Sequence, residues 1–68
     1  MTKVEEIVVS NLEDAKANGA WELGGYLEGA SAEDIADDMV MYAEDCQDLD
    51  PKDIVGYIRA WLAKENLL

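Results

Sequence analysis

Between Ser31 and Asp48 the chain reads SAEDIADDMVMYAEDCQD, and its apolar and acidic positions recur there with the period of an α-helix. At 100° per residue, Ala32, Ile35, Ala36, Met39, Tyr42, Ala43 and Cys46 fall on one side. Glu33, Asp34, Asp37, Asp38, Glu44, Asp45 and Asp48 fall on the other, with Met41 alone among them. Ser31, followed three residues later by Asp34, has the spacing of a capping box. Its hydroxyl is placed to accept a free backbone N–H of the first turn. The pattern predicts a helix over residues 32–47. Its last turn then carries Glu44 and Asp45, the unfavourable sign for the C-terminal end of a helix dipole.

The N-terminal stretch has the same period. Thr2-Lys3-Val4-Glu5 opens with a second capping-box pattern, and Val4, Ile7, Val8, Leu12 and Ala15 share a face that leaves Val9 outside. Ile7-Val8-Val9 alone would suit a strand, but Glu5-Glu6 and the run from Leu12 to Ala17 favour helix. Asn18-Gly19 supplies the stop, so a helix is expected over 3–18. Residues 20–29, AWELGGYLEG, carry Trp21, Leu23, Tyr26 and Leu27. Gly24-Gly25 would cost a helix about 2 kcal/mol relative to two alanines. A short helix or irregular turn near 21–28 is therefore expected.

Asp50-Pro51, with Asp53 following, marks the last helix start: a capping carboxylate, a proline at the first helical position and an acid in the first turn. A helix over 51–66 turns Ile54, Val55, Tyr57, Ile58, Trp61 and Leu62 inward. Gly56, Ala60 and Ala63 face away, flanked by Lys52, Arg59 and Lys64. Connections of two to four residues suit neighbouring antiparallel helices. The expected fold is all-α: one domain, a small antiparallel bundle of three main helices plus the short central segment.

Charge narrows the function. The 68 residues include sixteen acids, five bases and no histidine, a net charge of −11, and the stretch between Lys16 and Lys52 has ten acids and no cation. Such a surface repels phosphate backbones and anionic membranes, so neither direct nucleic-acid binding nor membrane binding is expected. It attracts a basic protein surface and speeds its arrival. The lone Cys46 suits a reducing compartment. MTKVEEIVVSNLED lacks the apolar centre of an export signal, and no apolar run reaches membrane-spanning length. A cytoplasmic location is the expectation.

The residues offer little reactive chemistry. Without histidine, the commonest general base and metal ligand is missing. Ser10 and Ser31 have no base beside them in the sequence, and Cys46 lies on the apolar helix face among acids, which disfavour a thiolate. The carboxylates sit on a convex face rather than opposed across a cleft. A calcium loop fails in two registers: from Asp45 the fifth position is Leu49, and from Asp48 it is Lys52. Gly24-Gly25 lacks the following Lys, Ser or Thr of a phosphate loop. Acyl carrier proteins are also small, acidic and helical, but no Asp-Ser-Leu motif occurs here and Ser31 lies between two alanines. A helix-turn-helix reader would have to use the most acidic helix of the chain to contact DNA. No catalytic residue, cofactor or metal site is expected, and no enzyme.

The leading expectation is a non-catalytic regulatory module that grips a basic protein surface through Asp37, Asp38, Met41, Glu44, Asp45 and Asp48. Met41 supplies the apolar centre and the carboxylates the rim. In size, charge and helix content alone, the chain resembles small phage-encoded inhibitors that occupy nucleic-acid-binding sites of host proteins. That likeness implies a second reading, in which carboxylates stand in for phosphates. On a continuous helix Asp37 and Asp45 would lie about 12 Å apart along the axis. A homodimer or larger homo-oligomer, in which the cationic small-residue face of the last helix meets an acidic face of another copy, is the third.

Overall fold

The computed structural model describes residues 2–17 and 31–66. The Asn18-Gly19 stop and the segment expected near 21–28 lie outside them. The described residues form three α-helices, α1 (Lys3–Ala17), α2 (Ala32–Tyr42) and α3 (Pro51–Lys64), with a single 3₁₀ turn (Glu44–Cys46) between α2 and α3.

Each helix starts where its cap dictates. Thr2 Oγ1 accepts the Glu5 N–H at 3.1 Å, Ser31 Oγ accepts that of Asp34 at 3.1 Å, and Asp50 Oδ1 accepts that of Lys52 at 2.9 Å. Each bond satisfies a backbone donor that has no partner inside the helix. α3 ends two residues before the expected 66. Asn66 adopts φ 60°, a left-handed conformation that asparagine tolerates, and its N–H closes the end on the Ala63 carbonyl at 3.1 Å.

The core is apolar throughout. Val8 and Leu12 of α1, Ala32, Ile35, Ala36 and Met39 of α2, Cys46 of the turn, and Ile54, Ile58, Trp61 and Leu62 of α3 are buried together. No charged or polar side chain is buried among the described residues. α3 packs against both other helices, and the 3₁₀ turn also touches both, but α1 and α2 make no direct backbone approach to each other. The one apolar stripe of α3 therefore serves two partners. Its flanking residues Val55 and Tyr57 are half-buried rather than central.

α1 likewise faces two neighbours. Val9, expected outside the core face, is half-buried and lines a groove against α3 with Tyr57 and Trp61. A helix wedged between the 3₁₀ turn and α3 needs a wider apolar arc than a helix with one neighbour. Polar pairs fix the rims. Trp61 Nε1 donates to Glu13 Oε1 at 2.7 Å, Lys16 pairs with Glu65, and Arg59 pairs with Glu33. The hydrogen-bonding Lys16 ammonium holds the Glu65 carboxyl below its ordinary range, and Glu65 raises Lys16 in return. No described helix is long and apolar enough to cross a membrane.

Two substitutions test this packing. Ile58→Ala, at a fully buried position in the core, is expected to cost about 2–5 kcal/mol in urea unfolding. Gly56→Ala is expected to do the opposite. A methyl at Gly56 meets nothing within 4 Å, so the helix should gain roughly 0.5–1 kcal/mol.

Candidate protein-interaction site

The helix expected over residues 32–47 stops at Tyr42. Ala43 turns to φ −84°, ψ 119°, an extended conformation, and the 3₁₀ turn begins at Glu44. The Ala43 N–H still reaches the Met39 carbonyl at 2.9 Å, and the Cys46 N–H then bonds the Ala43 carbonyl at 3.0 Å. The break relieves the conflict visible in the sequence. Glu44 and Asp45 would have sat at the negative end of a long helix; they open a new turn instead.

The break also changes which residues face water. Tyr42, expected on the apolar face, points outward and is 63 % exposed, beside Met41 at 62 %. They are the two large hydrophobic side chains exposed among the described residues. Cys46 still reaches the core, because the change of direction carries the turn back under the helices.

Of the expected site residues, α2 carries Asp37, Asp38 and Met41. Asp37 and Asp38 stand one helical turn before Met41 and Tyr42, so each carboxylate lies on the same face as one apolar side chain. Asp37 is exposed and borders a groove of about 220 Å³ with Glu33, Ala36, Pro51, Lys52 and Val55, whereas Asp38 is half-buried. Glu44 and Asp45 follow on the 3₁₀ turn and Asp48 lies beyond it, all exposed. The acids are therefore divided between the end of α2, the 3₁₀ turn and the residues just after it. The axial spacing of Asp37 and Asp45 on a single helix does not apply.

Asp45 has a structural bond as well. Asn11 Nδ2 donates to Asp45 Oδ1 at 3.1 Å, to the Ile7 carbonyl at 2.8 Å and to Cys46 Sγ at 3.6 Å. This polar knot ties the turn to α1. The Cys46 thiol lies 3.7 Å from Asp45 Oδ1, towards which it donates. Burial first, then the Asp45 charge and this hydrogen bond, push the thiol up to about 11 from its ordinary 9.0.

Sequence reasoning missed Tyr42. The unfavourable placement of Glu44 and Asp45 was the available signal, since a helix that ends before them releases Tyr42 from the inward phase. Among the described residues, no group of three or more His, Cys, Asp or Glu side chains is placed to hold a metal ion. No protein-family model matches the chain, nor does any curated protein or solved structure.

The buried thiol supplies a test of this corner. In the folded chain at neutral pH, Cys46 is expected to react with iodoacetamide at least about tenfold more slowly than in urea, because both access and thiolate fraction are reduced. Its folded value lies above its unfolded one, so its contribution to stability is complete below pH 9 and lost as pH rises towards 11. Thermal melts of the chain and of Cys46→Ala should accordingly converge across that window.

Proposed function

We propose that this chain is a non-catalytic interaction module that binds a basic surface on a protein partner. The observation that carries the reading is the adjacent pair Met41 and Tyr42, exposed at the end of α2 with carboxylates before and after them. An apolar centre inside a charged rim is a common interface layout, and aromatic and methionine side chains are enriched at such centres. Between Ser31 and Pro51 the chain has no cation, so nothing in that segment offsets the attraction for a basic partner. Asp37, Asp38, Glu44 and Asp48 steer the approach, Met41 and Tyr42 form the contact, and Asp45 holds the turn to α1 while adding its charge.

The scaffold in this reading is a small bundle with α2 antiparallel to α3. Glu33, at the start of α2, pairs with Arg59 in the second half of α3, which supports that direction. α1 is held differently, with Glu13 on Trp61 and Lys16 on Glu65, so its C-terminal end meets the C-terminal end of α3.

The test is capture of a partner from cells of the source organism by the tagged chain, repeated with Met41→Asp/Tyr42→Asp and with the control Ser10→Asp on the exposed side of α1. The double variant should fold, since both side chains are in water, and should recover at least about tenfold less partner, roughly 1.4 kcal/mol. The control should recover the same amount as the unaltered chain. Equal recovery by all three would remove this surface from the reading. Displacement of the partner by duplex DNA would shift it to nucleic-acid mimicry.

A further inference from the structure

The outer face of α3 has features that the packing of this chain does not use. Gly56 lies in the middle of the helix, where it weakens the helix relative to alanine, and the space beyond its Cα is open. Ala60 and Ala63 extend the exposed small-residue face. Beside it, between α1 and α3, runs a groove of about 200 Å³ lined by Glu5, Val9, Tyr57, Ala60, Trp61 and Lys64. Tyr57 is half-buried there, leaving part of its ring open to a neighbour. Of the three cations of α3, Lys64 lies on this flank, whereas Lys52 borders the groove against α2 and Arg59 is paired with Glu33 of that helix.

We infer that two copies of this chain pair through α3, antiparallel about a two-fold axis. The charges are arranged for it. Asp53 and Lys64 are both exposed and lie on the Tyr57 flank of α3, eleven positions apart, about 16 Å along the axis. In an antiparallel pair, equivalent flanks face each other, so Asp53 of each copy meets Lys64 of the other. The same register sets Tyr57 of each copy over Ala60 of the other, within the groove. A two-fold interface requires this kind of self-complementarity. Gly56 and Ala60 allow the backbones to approach closely, which accounts for a glycine that the isolated helix does not need. The acidic end of α2 plays no part, so the pairing is independent of partner capture.

The test uses sedimentation equilibrium at physiological ionic strength, from micromolar to millimolar chain. The unaltered chain should pass from 7.5 kDa towards twice that mass. Lys64→Glu alone sets acid against Asp53 of the second copy, and Asp53→Lys alone sets cation against Lys64, so each variant should remain at 7.5 kDa throughout the range. An equimolar mixture of the two restores both pairs of opposite charges and should regain the doubled mass. Circular dichroism of each variant checks that the helices persist, and a variant that loses helix is replaced by Asp53→Asn or Lys64→Gln, which should weaken pairing at least tenfold. A chain monomeric at millimolar concentration would overturn the inference. So would a dimer indifferent to these charges, or folded single variants that fail to pair when mixed.

Discussion

The structure depends on one apolar stripe having two uses. Ile54, Ile58, Trp61 and Leu62 of α3 receive α1 on one side and α2 on the other, and these two helices do not approach each other directly. The second bridge between them is the 3₁₀ turn, which brings Cys46 into the same cluster. Buried apolar area is the main favourable term in folding, and a short chain has little of it. Sharing α3 lets each of its buried residues contribute to more than one contact.

That sharing sets where acid can go. With no charged side chain buried among the described residues, the carboxylates are confined to the outer surfaces. On α2 the fully inward positions are four, Ala32, Ile35, Ala36 and Met39, so most of the rest of the helix is left to acids and to its exposed apolar end. The candidate interface follows from the same division. A helix packed on one side has a free side, and its composition determines what approaches.

Much of this was legible in the residues because it is local. Thr2, Ser31 and Asp50 cap as their spacing indicates, since a cap involves only a hydroxyl or carboxylate and an N–H two or three residues away. The inward residues of α2 as far as Met39, and those of α3 at Ile54, Ile58, Trp61 and Leu62, follow from period alone. Val9 and Tyr42 did not, for related reasons. Val9 is drawn in because α1 has a second neighbour, which one helix's pattern cannot reveal. Tyr42 is released because the chain bends at Ala43, a position that periodicity treats as ordinary helix. The acidic rim was legible as composition, whereas its division between a helix end and a turn was not. Asn11, which ties that turn to α1, gave no signal, because its partners Asp45 and Cys46 are more than thirty residues away.

Among the described residues two ion pairs form, Lys16–Glu65 and Arg59–Glu33, in a chain of five bases and sixteen acids. Compaction therefore crowds like charges together, and the expanded chain relieves some of that strain. Counterions become a component of the fold: dissolved salt, by shortening the reach of the mutual repulsion, favours the compact form, and very dilute buffer works against it.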